Sequence, residues 1–502
     1  MMTDVRVTAP ARKWLALSVL MLPVLLVSID NTALNFAIPQ IAQDLSPSAA
    51  QQLWIIDAYP LVLAGLLVAA GSLGDRIGRR KLLMIGATGF AIVSVVAAFS
   101  PTAEVLVAMR ALLGLFGATL MPSTLSLLRS IFLDRAQRRL AIAIWATGFS
   151  VGSAIGPVVG GLLLTQFHWG SIFLIAVPIL IPLLVLAPFL IDESRDPNPG
   201  PIDVIGVVAS MVALGGLAAG IKRLATHGID AFAIAVLLLA VVAGWVFVRR
   251  MLRSENPMLD VRLMKIPEFS GALMINLLSV VALTGFLYWV TQHLQLVTGL
   301  SVFDAALVLV PGVLAIVLSG LLVVRVVKRF PPGPVVGIAL SISMLAYALM
   351  LFAGKDIEVW AILSFFALLG IGIGAAETLS NDIVIASVRP EKAGAASALS
   401  ETAYEFGAVL GTTLLGGLLT AVYRGSLVLA EDLDQAHADA AFETLGGAAT
   451  VAEEIGGDTG AQLLLQAQHA FDEGATAMSG AGVVLMIGAV LIAFIALRRA
   501  KA

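Results

Sequence analysis

Cysteine is absent from the chain, so it holds neither a disulfide framework nor a thiolate metal site. Charge is scarce: Asp, Glu, Lys and Arg make up 13% of the residues, where a soluble domain carries about 25%. Histidine occurs five times. His168, His227, His437 and His469 read as loop residues, and His293 stands alone in an apolar run. That leaves no histidine-based constellation for an enzyme working inside a membrane. The stretch Gly148-Phe-Ser150-Val-Gly152 has the spacing of a nucleophile elbow, but no strand precedes it and no histidine lies in a nearby span. No glycine-rich phosphate loop ending in Lys-Ser or Lys-Thr is present, so the chain does not consume ATP itself.

Apolar sequence takes the place of charge. The 502 residues are 59% hydrophobic with a mean hydropathy of +0.99, which marks an integral membrane protein. A crossing needs about 20 apolar residues. Fourteen stretches qualify: 14–38, 51–74, 82–100, 104–131, 140–165, 171–191, 204–221, 231–248, 270–297, 305–327, 335–353, 359–387, 395–423 and 478–497. The first follows Arg6, Arg12 and Lys13, as a signal peptide would. It also contains Asp30 and lacks a small-residue cleavage site, so it reads as a retained helix. Lys and Arg favour the cytoplasmic side. With the N-terminus inside, 25 of the 30 basic residues fall on that side. Four fall outside (Lys222, Arg223, Lys355, Arg424) and Arg110 is left within a span. Both termini are therefore expected in the cytoplasm.

The segment between the last two spans, 424–477, carries ten acids and one base. It reads either as a solvated acidic loop or as a lid or cation-attracting vestibule, with short amphipathic helices expected over 427–445 and 461–471. A weak repeat relates Gly71–Lys81 to Gly320–Gly333, each a glycine and basic cluster ending a span. It divides the chain into a six-helix half (1–191), an inserted pair with its loops (192–269) and a second six-helix half (270–502). Parallel halves around a midplane site are a transporter pattern.

Four motifs then carry a resemblance. Gly71-Ser-Leu-Gly-Asp75-Arg76-Ile-Gly78-Arg79-Arg80-Lys81 lies between spans 2 and 3. Asp30-Asn-Thr-Ala-Leu-Asn-Phe-Ala-Ile-Pro39 lies in span 1, and Arg110-Ala-Leu-Leu-Gly-Leu-Phe-Gly117 in span 4. Gly148, Gly152, Gly156-Pro157 and Gly160 lie in span 5. Together they resemble the major facilitator superfamily, in particular its 14-helix drug:proton antiporter branch, over essentially the whole chain. Leu113 departs from the span 4 pattern, where a glutamine is common. The resemblance implies two six-helix bundles with two inserted helices. It also implies export of lipophilic cations (dyes, quaternary ammonium compounds, fluoroquinolones) in exchange for protons. No cofactor beyond the coupling proton is implied. The same branch also resembles dedicated exporters of a lipid, siderophore or natural product.

Ionisable groups buried in hydrocarbon are costly and so mark function. Asp30 sits about 6 Å beyond the middle of span 1 at ~1.5 Å per residue, at a depth similar to Arg110, so the two are expected to pair. Asp57, Glu377, Asp382, Glu401 and Glu405 complete the candidates for proton coupling and cation binding. Glu401 and Glu405 share a helix face, Asp57 reads as an interface residue, and Asp382 as a cap near a helix end. Trp145, Phe149, Tyr288, Trp289, Phe365 and Tyr404, with Phe286 and Phe366, are candidates to line a pocket by cation–π contact. Asp75 is expected at a helix N-terminus, and Arg76, Arg79 and Arg80 on carboxylates or lipid phosphates, as a latch between the halves. The four-residue glycine spacing of span 5 predicts a tightly packed helix face, with Pro157 as a kink. The expected partners are small cationic drugs and membrane lipids, with no nucleic acid, and the unit is a monomer. A non-transporting receptor is the remaining class, and it would not require so many intramembrane acids.

Overall fold

The computed structural model describes residues 10–498 except 196–202, 255–256, 258, 354–356, 389–392 and 430–432. Lys355, Arg389, Lys392, Glu431 and Asp432 lie outside the described residues. All regular structure among those described is helical, because hydrocarbon offers the backbone no partners and a helix satisfies its own N–H and C=O groups.

The first half contains α1 (Pro10–Leu45), α2 (Ala49–Ile77), α3 (Arg79–Ala98), α4 (Ala103–Ile131) and α5 (Arg135–Gln166). A crossing broken at Ile175 into α6 (Ser171–Leu174) and α7 (Ala176–Leu190) follows. Next come α8 (Val204–His227) and α9 (Ala231–Arg253). The remainder is α10 (Pro267–Gln292), α11 (Val302–Val326), α12 (Pro332–Ala353), α13 (Val359–Ala386), α14 (Ala393–Leu410), α15 (Gly417–Ser426), α16 (Gln435–Glu443), α17 (Leu445–Ile455) and α18 (Gly457–Ala496). A π-helical turn, His293–Val297, ends α10, and another, Gly411–Gly416, joins α14 to α15. Thirteen described helical segments are long and apolar enough to cross a membrane. The 32-residue α5, whose apolar stretch Ile155–Gln166 is too short to stand among those thirteen, is long enough to cross as well. Alternation then brings the start of α1 and the end of α18 to one end of the bundle. The opposite end is called distal below.

Large apolar side chains face outward all round, among them Leu238 and Val241 on α9, Leu318 and Leu321 on α11, and Leu491 and Ile495 on α18. In water such patches would be interaction surfaces; here they face lipid. Inside, α5 lies on α1 through its glycine face. A Cβ at Gly152 would stand 2.6 Å from Ser28 Cβ and 2.9 Å from the Leu25 carbonyl oxygen, so only glycine admits that approach. The inserted pair is tied together near the termini by Asp203. It caps α8 at the Gly206 N–H (2.9 Å) and receives Arg250 of α9 at 2.8 Å. Those bonds hold its carboxyl below the usual range.

Among the described residues, the 424–477 segment is helical beyond the short amphipathic helices expected there. It folds as α16, α17 and the first part of α18, which runs unbroken for 40 residues and starts 21 residues before the expected span. Tyr423 O–H donates to the Ala441 carbonyl (2.7 Å) and Arg424 pairs with Glu443 (3.0 Å). Glu443 also accepts from the Ala49 N–H at the start of α2 (2.5 Å). This layer therefore caps the distal end and reaches from the second half of the chain to the first.

Overpacking a seam costs roughly 1–3 kcal/mol. Gly152→Ala is accordingly expected to lower the melting midpoint of detergent-solubilised protein. Gly488→Ala, with nothing within 4 Å of the added carbon, is expected to leave it unchanged. A fluorescence-monitored thermal melt of both variants checks this.

Candidate functional site

Two buried charges of the first half, Arg110 and Asp30, form one cluster. Arg110 of α4 is 1% exposed and its Nη1 donates to Asp30 Oδ2 of α1 at 2.6 Å. Its Nε donates to the Ile55 carbonyl (2.9 Å) and its Nη2 to the Ile56 carbonyl (3.4 Å) of α2. Sequence explains why a carbonyl in mid-helix is free to accept. The N–H that would close on Ile56 belongs to residue 60, which is Pro60 and has none. The guanidinium also lies over the Tyr59 ring, 4.7 Å from its centroid. Arg110 thus joins α1, α2 and α4 at the level of Asp30.

Facing them are acids of the second half. Glu405 on α14 is buried and lies within electrostatic reach of Glu401, Asp30 and Arg110. Tyr404 lies within reach of Glu377, Glu405 and Glu401. Glu377 Oε1 and Glu405 Oε2 are buried without a hydrogen-bond partner among the described residues. Asp30 has a full-strength partner, and these two carboxylates do not. Buried polar groups are usually paired, so the orphaned oxygens mark where a proton or a cation would be welcome.

The structure brings Asp30, Arg110, Glu401, Tyr404, Glu405 and Glu377 together and leaves other candidates apart. Asp382 is exposed, in the last turn of α13. Trp289 is fully buried, packed edge-on to Phe286 and tilted on His293, and Phe286 stacks on Phe366. Tyr288 is buried against Gly416, and Phe365 is buried too. These rings are core of the second half. Trp145 and Phe149 are half-buried and in edge contact at 5.4 Å, and the Trp145 indole donates to Thr124 (3.2 Å).

Between α2 and α3, Gly78 takes φ 112°, a region that strains other residues. The carboxylate at the α3 N-terminus is Glu193, which accepts from the N–H groups of Arg80 (2.9 Å) and Lys81 (3.0 Å). Asp75 instead pairs with Arg79 at 2.8 Å. Arg79 reaches Ser194, and Arg80 reaches the carbonyls of Pro188 and Ile191. The bonds of Arg79, Arg80 and Lys81 run to the last turn of α7 and the segment after it.

Three features escaped the sequence reading. Lys222, counted above among the outer bases, is inside α8 and buried, with its Nζ 2.8 Å from Asp57 Oδ2. His293, read as isolated, lies 3.2 Å from Asp472 of α18, both almost fully buried. Thr412 and Thr413 both donate to the Asp57 carboxylate. The available signal was a lysine at the end of an apolar run and a π-forming Gly-Thr-Thr. Neither names its partner.

A polytopic helical bundle with paired charges sunk at the joint between its parts is the architecture of a membrane transporter. The family follows: the Major Facilitator Superfamily model matches residues 20–412, and the chain belongs to that family. It is therefore a multi-pass protein of the bacterial inner membrane and a transporter, not an enzyme. The chain is 51% identical to the multidrug efflux pump LfrA of Mycolicibacterium smegmatis, covering 98% of this chain and 97% of that protein. It is 33% identical to the methyl viologen resistance protein SmvA of Salmonella typhimurium, covering 95% and 97%. Among solved structures it is similar to a bacterial homolog of the human lysosomal transporter Spinster, inward-facing and unoccupied. There the TM-score is 0.67 at 18% identity, covering 98% of both chains, and the likeness concerns the fold alone.

Removing one partner of a buried ion pair costs about 3–5 kcal/mol. Arg110→Met is expected to lower the melting midpoint sharply, and Arg110→Met with Asp30→Asn to recover part of the loss. Thermal melts of the single and double variants test the pairing. A double variant no more stable than Arg110→Met would refute it.

Proposed function

We propose that this protein is a proton-coupled multidrug exporter that works by alternating access. The observation that carries the reading is a pair of buried carboxylate oxygens, Glu377 Oε1 and Glu405 Oε2, with no hydrogen-bond partner among the described residues, beside the Asp30–Arg110 cluster. Buried acids without a counter-ion take up a proton or a cation, and one site that accepts either can exchange them.

The basic-residue distribution makes the distal end the outer face. The contacts that join the two halves there keep it shut. Gln52 donates to Gln292 (3.2 Å), Gln295 donates to the Phe36 carbonyl (3.3 Å), and Gly161 admits Phe303 and Ala306 of α11. In this state a lipophilic cation enters from the cytoplasm or inner leaflet and binds the deprotonated acids, with Tyr404, Trp145 and Phe149 offering ring faces. The six-helix halves, 1–191 and 270–502, then rock about the site while 192–269 rides between them. Protons arriving from outside neutralise Asp30 and one or more of Glu377, Glu401 and Glu405. The cation leaves outward and the protons leave inward. The turn at Gly71–Lys81 biases which conformation is favoured.

Lipophilic dyes, quaternary ammonium compounds and fluoroquinolones are the proposed substrates. The two named relatives, one a multidrug efflux pump and the other conferring methyl viologen resistance, support a cationic class. The protein is proposed to act as a monomer in contact with lipid, with the proton as its only coupling ion.

Adding ethidium to solubilised protein in weak buffer is expected to release protons from the wild type. The release should be reduced in Asp30→Asn and in Glu405→Gln. No release from folded wild type would remove either the cationic substrate or the proton coupling.

A further inference from the structure

The inserted pair α8–α9 has no part in the cycle as described, yet α8 carries a fully buried lysine. The seam between α8 and α2 is close along its length. A Cβ at Gly65 would stand 2.8 Å from Met211 Cγ, and Leu61 lies 3.7 Å from the Cβ position of Gly215. At its distal end Lys222 is 1% exposed. Its ammonium meets Asp57 Oδ2 at 2.8 Å, the Leu53 carbonyl at 3.1 Å and the face of Trp54 at 3.8 Å. An ammonium has three N–H donors, and a carboxylate, a carbonyl and a ring face surround this one. All three belong to α2. The other half of the chain reaches the cluster differently. Thr412 and Thr413, on the π-helical turn Gly411–Gly416, both donate to the Asp57 carboxylate, Thr413 at 3.0 Å. Helix α8 also touches α15 and that π turn, so it lies across the joint at the end where the halves meet.

We propose that Lys222 is the resident counter-ion of Asp57, and that the pair is the fixed jaw of the distal gate, closing on Thr412 and Thr413. Lys222 holds the carboxylate, a carbonyl and a ring of α2. When the halves part at the distal end, Lys222 stays with Asp57 and the two threonine hydroxyls withdraw from the carboxylate. When they close, the carboxylate is sealed from water, and sealing it is tolerable because its charge is already matched. Asp57 is then a gate residue that keeps its ammonium through the cycle, separate from the acids that exchange protons for drug. The inserted pair acquires a role: it brings the cation that lets the gate contain a carboxylate. Lys222 is a positioning residue, and its action through the gate rests on the alternating-access reading above.

The absence of cysteine makes the test clean. In a Gln292→Cys background the single thiol lies at the closed distal joint, where Gln292 is 3% exposed. A membrane-impermeant maleimide added from outside then reports opening, with neither drug nor proton gradient needed. Asp57→Asn and Lys222→Met each leave one buried charge unmatched. Each is expected to label about tenfold faster, equivalent to about 1.4 kcal/mol lost from the closed state. Asp57→Asn with Lys222→Met removes both charges and is expected to return labelling to the parent rate, as is Lys222→Arg, which keeps the cation. Size-exclusion profiles identify folded variants, and the double variant decides the matter if a single one does not fold. A folded double variant that labels as fast as the singles, or a Lys222→Met no faster than the parent, overturns the gate. The double variant is also expected to release protons on ethidium addition as the wild type does. Loss of that release in a reclosed double variant would make Asp57 a coupling acid and overturn the counter-ion assignment. Failure of proton release in the wild type would sink the proton-exchange reading and leave the labelling result standing.

Discussion

A charge placed in hydrocarbon must find its partner on another helix, and this requirement organises the bundle. Arg110 is 1% exposed, so its guanidinium must find its hydrogen-bond partners within the protein. Three of its five donors become ties: one to Asp30 on α1 and two to carbonyls on α2, one of them freed by Pro60. The apolar surface of these helices does not distinguish one neighbour from another, since lipid tails are as apolar as leucine. The guanidinium does, because only one arrangement of α1, α2 and α4 satisfies it.

Small residues supply the second constraint. Without a hydrophobic drive between helices in lipid, close packing must come from backbones that can approach. The face of α5 formed by Gly152 and its neighbours lies on α1 within the first half, whereas Gly161 meets α11 of the second half. One helix thus carries both an internal seam and a mobile joint. On the proposed cycle the first stays closed while the second opens, so the two must differ in strength. The seam has several glycines in register with α1. The joint is held by few glycines and by separate hydrogen bonds, some neutral such as Gln52–Gln292 and some to a carboxylate such as Thr413–Asp57, worth about 0.5–3 kcal/mol each.

Much of this was legible in the residues. Hydropathy located the crossings, and the glycine spacing of α5 named a packing face. The depths of Asp30 and Arg110 predicted their pairing. Where the reading failed, the cause was a partner distant in sequence. Lys222 was assigned to an outer loop because a lysine ends an apolar run in hydropathy. The helix continues to His227 because Asp57, 165 residues earlier, takes the charge inside. Asp472 was counted with nine other acids in a loop, yet it sits 5% exposed beside His293 because α18 starts far earlier than its apolar part. Asp75 was given the α3 N-terminus on proximity, and Glu193 occupies it because the chain returns there after α7. Local pattern gives elements and depths; which charge meets which is a property of the assembled fold.

The two halves treat their acids unequally, and that asymmetry bears on the proposed exchange. In the first half Asp30 is matched by Arg110 and Asp57 by Lys222. Each pair is matched in charge; in the proposed cycle Asp30 gives up that match when a proton arrives, whereas Asp57 keeps Lys222. In the second half Glu377 Oε1 and Glu405 Oε2 have no hydrogen-bond partner among the described residues. Taking a proton there strands nothing. A drug cation would relieve the same deficit by charge. The unmatched acids are thus suited to trade ligands and the Asp57–Lys222 pair to hold geometry. Glu405, within reach of both Glu401 and the Asp30–Arg110 cluster, sits where a change of charge on one side is felt by the other. Coupling between occupancy and the rocking of the halves then needs no longer pathway than the width of this one contact.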